Sequence, residues 1–387
     1  MFVLMLSLDH SLLTDPHGSA RARHLSYAER AGTLAIIVRS PRSIPPAPVH
    51  ASASLTLYPS SSPHPALYPW DALRIGRALT DIDLLVTQDM FTSGLAGVWL
   101  RRHLRAPLLV QSHSTIFDNP AWLREKPLRN RALLALGSWV LARADFLRTV
   151  NAREAESARA GGFPADRIAA LPLGTVSSAF AAPPDAQAVA ALRAQLGLTD
   201  DHQVILWVGY PVAFKRVPLL LQVFERVAAR HPQARLLLVG DLSRSPDDLT
   251  ALIAQRGLSQ RVIMPGAVEH EALPAYYALA DLYAHTSSYE GIPRVMMEAS
   301  SAGLALVAMR TPGVEEIIED GVNGCLAADG DIEGMANMIC GLLDHPGQAR
   351  ALGSSGRKQA LSRYSAEGYA DQWTDLWRRA RELGMRA

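Results

Sequence analysis

Ser288-Tyr289-Glu290-Gly291-Ile292-Pro293-Arg294-Val295-Met296-Met297-Glu298-Ala299 is the stretch on which the reading of this chain turns. An apolar, strand-like run at 282–286 precedes it, and 295–301 has the pattern of a helix. Glu290 and Gly291 therefore fall in a strand-to-helix turn, and Glu298 lies about one turn into the helix. A helix start presents unpaired backbone N–H groups and the positive end of the macrodipole, a setting that suits a phosphate. Pro293 fits the first turn, where a missing N–H costs nothing. Eight helical residues span about 12 Å, an upper guide to the separation of the two carboxylates. That span suits one carboxylate reading a sugar and the other a ribose, with a diphosphate between them. Acidic residues also serve as ordinary helix caps and dipole partners, so the surrounding sequence has to decide.

Outward from this stretch, short apolar runs alternate with helical patterns, as a parallel doubly wound α/β sheet requires. In the first half the pattern predicts strands at 2–8, 34–38, 55–58, 84–87, 108–111 and 146–150. Helices are expected near 19–31, 69–79, 92–104, 128–142 and 151–160. A Pro- and Ser-containing break at 176–186 reads as a linker. The rhythm then restarts, with strands expected at 204–208, 236–239, 262–264, 282–284, 304–308 and 324–327. The tail, 366–385, spaces Tyr369, Trp373, Leu376 and Trp377 as one face of a terminal helix. The expectation is two Rossmann-like domains, 1–178 and 186–365, with ligands at the carboxyl ends of strands in a cleft between them, and a helix at 366–387 returning to the first.

Bulk composition narrows the class. A chain of 387 residues with 49% hydrophobic content can bury two ordinary cores. Net charge +1 provides no global basic field for nucleic acid. Of the 38 basic residues only Lys126, Lys215 and Lys358 are lysines, a bias that fits genome composition better than chemistry. Cys325 and Cys340 have neither a disulfide framework nor metal-ligand spacing, which suits a reducing cytoplasm. Residues 1–8 are apolar but lack a basic lead-in, and read as a first buried strand rather than a signal peptide.

Past the strand at 204–208 comes Gly209-Tyr210-Pro211-Val212-Ala213-Phe214-Lys215-Arg216. A lysine there can neutralise a phosphate, although a lone lysine is usually a solvated surface residue. Taken with the segments downstream of it, the second half resembles the donor domain of retaining GT-B glycosyltransferases, specifically glycosyltransferase family 4. The matching pieces run in order: Val208-Gly209, Lys215, Val239-Gly240-Asp241 and Val262-Ile263-Met264-Pro265-Gly266. After these come Ser287, Glu290-Gly291-Ile292-Pro293, Glu298-Ala299-Ser300-Ser301-Ala302-Gly303, Gly313, Glu316-Ile317-Ile318 and Gly321-Val322-Asn323-Gly324. The family's Arg after Val-Gly is Tyr210 here, and its Gly after the Lys is Arg216. Arg294 or Arg216 is then the expected substitute for the missing diphosphate contact.

The first half resembles the acceptor domain of bacterial polysaccharide-type members. Gly18-Ser19-Ala20-Arg21 corresponds to the loop that approaches the reaction centre. Gln88-Asp89, with Phe91 and Gly94-Leu95, lies beyond the fourth of the long strands, and Gln111-Ser112-His113-Ser114 ends the fifth. The family often places a His near the transferred sugar there, although a single His is more often structural.

The resemblance implies hexosyl transfer from a UDP- or GDP-linked sugar to a glycan or lipid-linked acceptor, with retention, in bacterial glycan biosynthesis. His113, Glu290 and Lys215 are the implied catalytic residues. Gly18, Ser19, Gly209, Tyr210, Lys215, Arg216, Ile263, Met264, Gly291, Ile292, Pro293, Arg294 and Glu298 are the implied donor contacts, with the base seated near the Ile263–Met264 backbone. Lys215, Arg294 and the helix start can stabilise a leaving diphosphate without a metal, so no cofactor is expected. Asp81-Ile82-Asp83 and Asp329-Gly330-Asp331 match the short D-x-D pattern of metal-dependent GT-A enzymes, which arises cheaply by chance. A nucleotide-sugar epimerase or hydrolase, or a non-catalytic nucleotide-sugar scaffold, are the alternatives. The basic, Leu- and Trp-bearing stretch 122–143 has the composition of a helix at an anionic membrane surface, and equally that of an ordinary domain helix.

Overall fold

A computed structural model describes residues 1–113, 116, 117, 119–172, 178–182, 185–364 and 368–385. The side chains at 19, 65, 121 and 178 lie outside that description, as do Ser114 and residues 176, 177, 183 and 184 of the stretch read as a linker. The chain divides into two units, Met1–Leu173 with Glu367–Ala387, and Gly174–Ala366.

The first unit carries β1 (Phe2–Ser7), β2 (Thr33–Val38), β3 (Val49–His50), β4 (Leu55–Pro59), β5 (Leu84–Thr87), β6 (Leu108–Gln111), β7 (Phe146–Thr149) and β8 (Ile168–Ala170). Their order across the sheet is β3-β4-β2-β1-β5-β6-β7-β8. All neighbours are parallel except the two-residue β3, which pairs antiparallel with β4. The sheet is covered on both faces, so every residue of β5, β6 and β7 is buried. One face packs on the C-terminal helix Tyr369–Met385, which buries Tyr369, Trp373, Leu376 and Trp377 against Leu34, Leu109 and Phe146.

The second unit carries β9 (Gln203–Val208), β10 (Ala234–Val239), β11 (Val262–Gly266), β12 (Leu282–His285), β13 (Ala305–Met309) and β14 (Gly324–Ala327). Its order is β11-β10-β9-β12-β13-β14, all parallel. This is the doubly wound order, and it reverses between β9 and β12. Along β9, Ile205 and Trp207 enter the core on one face, and Val204, Leu206 and Val208 the core on the other.

Three features depart from the sequence reading. β3 and β8 are edge pairings of two and three residues, too short to leave a periodic signal. The stretch 122–143 is two helices, Pro120–Glu125 and Pro127–Leu141, because Pro127 cannot continue the first and starts the second. Within the expected linker, Ser178–Ala181 is helical, and Phe180 is buried against the rings of His270 and Tyr277. Among the described residues no helix is long and apolar enough to cross a membrane.

Candidate active site

Open α/β sheets bind ligands outside the carboxyl ends of their strands, at the point where the strand order reverses. In the second unit the loops leaving β9 and β12 meet at that point. The β9 loop leads to Lys215 and Arg216 and the β12 loop to Glu290, and backbone and side-chain bonds lace them together. Ser288 N donates to Phe214 O at 2.8 Å, Thr286 Oγ1 donates to Lys215 O at 3.0 Å, and the rings of Phe214 and Tyr289 stack at 4.9 Å.

Across this seam Lys215 Nζ donates to Glu290 Oε1, and the same oxygen lies 3.2 Å from Nε2 of His285. Both side chains of the ion pair are largely buried, 14% and 11% exposed, so solvent screens it little. Burial alone would raise the Glu290 pKa, but the His285 hydrogen bond and the Lys215 charge outweigh it and hold the carboxyl at about 2. Burial lowers the pKa of His285, so neutral imidazole donates Nε2–H, and its buried Nδ1 has no hydrogen-bond partner.

Beside this cluster lies a pocket of about 490 Å³, lined in part by Gly209, Tyr210, Gly240, His270, Arg294 and Glu298. Two glycines let its floor close up. A Cβ on Gly240 would lie 1.9 Å from the carbonyl oxygen of Gly209, and Gly240 has φ +144°. Gly313 does the same for the acidic turn, where its Cβ would lie 2.2 Å from Gly291 O. The helix Arg294–Ala302 opens after Pro293, which stands at its N-cap with no side-chain cap. Met296 N donates to Pro293 O at 3.0 Å, which leaves the N–H groups of Arg294 and Val295 and the helix dipole to face an anion.

Glu298 projects from that helix with its side chain 4% exposed. Oε1 accepts from His270 Nε2 at 3.1 Å and Oε2 from Tyr277 Oη at 3.1 Å, with Arg294 Nη2 at 3.7 Å. The hydrogen bond to Glu298 raises the pKa of His270 above its ordinary value.

The residues expected from sequence separate into groups. Gly209, Tyr210, Arg294 and Glu298 line the pocket, and Lys215, Glu290 and Gly291 form the seam beside it. Ile292 packs on the core, and Met264 lines an adjoining hollow with Asp241, Gly266 and Ala267. Ile263, half-buried, also packs on the core, so neither it nor Met264 is among the pocket's lining residues.

Arg216 does not match its expected role. Its guanidinium donates to Thr286 O at 2.6 Å and Ser287 O at 3.1 Å and pairs with Asp329 at 2.5 Å. Its charge is committed to the scaffold, and its φ of +50° occupies the left-handed position where the family has Gly. Arg294 lines the pocket instead, and a cation the sequence did not single out sits over the ring of its neighbour Tyr210. Arg244 lies 4.3 Å from the Tyr210 ring centroid and pairs with Asp241 at 3.0 Å.

The D-x-D patterns also dissolve. Asp329 is the partner of Arg216, and Asp331 caps a helix through Gly334 N. Asp83 binds Phe2 N and Arg381. His270, Tyr277 and His285 went unnoticed in sequence because nothing local ties them to Glu298 or Glu290.

In the first unit, Gly18 is the N-cap of helix Ser19–Ala31. Gln88 Oε1 accepts from Ser7 Oγ and Leu8 N, both at 3.0 Å, and Asp89 Oδ1 accepts from Phe91 N and Ser93 N. His113 lies just past β6, and its Nε2 is buried without a partner. Burial, then the charges of Arg148 and Arg23, lower its pKa to about 3.

Similarity to known proteins divides along the same two units. Residues 8–174 match the glycosyl transferase 4-like domain, and 189–359 match glycosyl transferases group 1. The chain is 29% identical to an alpha-D-kanosaminyltransferase of Streptomyces kanamyceticus over 76% of each chain. It is 32% identical to a D-inositol 3-phosphate glycosyltransferase of Xylanimonas cellulosilytica over 62% of this chain and 58% of that one. It is also 29% identical to a GDP-mannose-dependent phosphatidylinositol monomannoside mannosyltransferase of Mycolicibacterium smegmatis, over 66% and 65%. Among solved structures, sucrose-phosphate synthase from Thermosynechococcus elongatus superposes with a TM-score of 0.81 at 23% identity, covering 100% of both chains. Anabaena HepE in complex with UDP gives 0.75 at 19% identity, covering 97% of this chain and 99% of that one. These likenesses establish the GT-B fold.

Proposed function

Because this chain belongs to the GT4-like, group 1 glycosyltransferases, we propose that it moves a hexose from a UDP- or GDP-linked donor to a glycan or lipid-linked acceptor, with retention at the anomeric carbon. The observation that carries the reading is the joining of the Lys215–Glu290 seam to the Glu298 pocket beneath one uncapped helix start.

Transfer leaves a nucleoside diphosphate, and the barrier falls if its growing charge meets preorganised donors. Lys215 and the first turn of helix Arg294–Ala302 supply those donors, and Arg294 adds a cation at the pocket wall. Glu298, held through both oxygens, is the acceptor for ribose hydroxyls. Glu290 is the acceptor for hydroxyls of the donor sugar, kept ionised by Lys215 and His285. His113, on the first unit, keeps its proposed catalytic role of stabilising the oxocarbenium-like charge. No covalent nucleophile is assigned, and the route needs no metal.

The relatives' names point the same way. One is GDP-mannose-dependent, and structures of HepE hold UDP and UDP-glucose. Contact with an anionic membrane belongs to the same proposal. Helix Pro127–Leu141 leaves Leu128 86% and Trp139 39% exposed, with Arg143 over the Trp139 ring at 4.2 Å. Cosedimentation with anionic vesicles no stronger than with neutral ones would remove the membrane from the picture.

The deciding experiment is a thermal-shift series with UDP, GDP and their hexose conjugates, with and without EDTA. A ligand at 100 times its Kd stabilises the fold by about 2.7 kcal/mol. A shift with one base that survives EDTA supports the assignment and names the donor class. A shift abolished by EDTA overturns the metal-free route. No shift with any nucleotide sinks the donor site itself, and binding without turnover across varied acceptors favours a scaffold.

A further inference from the structure

Arg148 sits near the carboxyl end of β7 and is 0% exposed, yet Nε, Nη1 and Nη2 all lack a hydrogen-bond partner. Trp373 lies against the guanidinium, 5.0 Å from Cζ to the ring centroid. That contact serves one flat face of the cation and none of its five in-plane N–H donors. A buried ionised group left in this state is among the most unfavourable arrangements a fold can hold. Burial lowers the Arg148 pKa only to about 10, so the charge persists near neutral pH.

Among the described residues, its surroundings contain donors and cations without a matching acid. Gln111 is its register partner across β6 and β7, and Ser112 N donates to Arg148 O at 2.8 Å. One residue further, His113 holds a buried ring nitrogen without a partner. The indole N–H of Trp373 is another. Arg23 and Tyr27 lie one turn apart on helix Ser19–Ala31. Tyr27 packs 5.7 Å from Trp373, and the Arg23 charge acts on both Arg148 and His113. Among the described residues, the charged and titratable groups acting on Arg148 are Tyr369, Tyr27, Arg23 and His113, and none of these is a carboxylate.

We propose that Arg148, with His113 and Arg23, forms a binding site for a phosphoryl group in the first unit, and that this group belongs to the sugar acceptor. A guanidinium fork fits a phosphate through paired N–H···O bonds, and the indole and imidazole supply further donors. The link to the acceptor rests on the transferase reading. The anion site itself rests only on the unpaired donors.

The test is a melting series of the full chain in inorganic phosphate against sodium chloride at matched ionic strength. Wild type and Lys215→Ala should both be stabilised by phosphate, which separates this site from the donor pocket. Arg148→Met should lose at least tenfold in phosphate affinity. In chloride it should melt no lower than wild type, because an unpaired buried charge has been replaced by an apolar stem. If Arg148→Met does not fold, Arg23→Gln provides the second reading, with an expected severalfold loss of phosphate affinity. An equal phosphate shift in wild type and in whichever variant folds overturns the site. So does an Arg148→Met protein that melts lower at every phosphate concentration.

Competition with inorganic phosphate then identifies the carrier. Displacement by glycerol phosphate points to a soluble phosphorylated acceptor, and displacement by phosphatidylglycerol vesicles but not phosphatidylcholine vesicles to a lipid headgroup. Displacement by neither overturns the acceptor assignment. The UDP and GDP shifts measured on the same variants keep these outcomes apart from failure of the transferase reading.

Discussion

Arg244 lies over the ring of Tyr210, 4.3 Å from guanidinium carbon to ring centroid, at the position where the family pattern has an arginine. The aromatic ring thus holds a cation contributed from the neighbouring β10 loop, and Asp241 fixes its other side. Tyr210→Ala removes the platform and frees Arg244 to solvent. An exposed cation–π contact is worth about 0.5–1 kcal/mol. Calorimetric affinity for the preferred nucleoside diphosphate should therefore fall about two- to fivefold. An unchanged affinity would mean that Arg244 plays no part at the pocket.

Lys215→Ala and Glu298→Ala attack the proposed donor site from its two ends. Loss of one preorganised donor to a developing oxyanion costs about 10²–10³ in rate, and Lys215→Ala should fall in that range in kcat/KM. Glu298→Ala should chiefly raise the donor KM and leave His270 and Tyr277 without their shared acceptor. Near-normal turnover by both variants would overturn the site assignment.

His285 positions Glu290 and is not itself presented to the pocket. Gln in its place keeps an N–H donor, whereas Phe keeps a ring and loses the bond. One buried hydrogen bond to a charged group contributes about 1.5–3 kcal/mol. His285→Phe should therefore lower kcat at least tenfold, with Gln recovering most of it. Equal losses in the two variants would reduce His285 to a packing residue.

Glu154 makes stability depend on pH. It is buried beneath the end of β6, accepting from Ser112 Oγ at 3.2 Å and Ile116 N at 3.1 Å. Burial, only partly offset by these bonds, raises its pKa from the ordinary 4.5 to about 7. The folded state thus holds the proton more tightly than the unfolded chain. The contribution of Glu154 to stability is therefore fullest below pH 4.5, falls as pH climbs towards 7, and above that becomes a penalty of about 3 kcal/mol. Glu154→Gln should raise the melting temperature relative to wild type at pH 8 and much less at pH 5. A constant difference at both would refute the shift.

The strands were legible because parallel sheets buried on both faces leave continuous apolar runs. The acidic stretch at 288–299 was legible because turn, proline and helix signals coincide there. Other parts depend on partners far along the chain. His270 and His285 gain meaning only beside Glu298 and Glu290, and Arg216 is spent on Thr286, Ser287 and Asp329, none of them adjacent in sequence. Phe180 looked like linker because its neighbours are small and polar, yet the rings of His270 and Tyr277 hold it in the second unit. Arg148 carries no sequence signal, since a lone arginine in an apolar run looks like an edge residue until the sheet order places β8 outside it.

The aromatic face of helix Tyr369–Met385 sets an order of events during synthesis. The sheet it covers is complete once residue 170 has left the ribosome, but Trp373 and Trp377 follow only after the whole second unit has been made. Until then Leu34, Leu109 and Phe146 have no permanent cover. The second unit, Gly174–Ala366, is continuous and can close during that interval. The unit whose strands are made before the other's is therefore closed after it, and a chain stopped near residue 366 would carry one completed unit and one with an open apolar face, prone to aggregate.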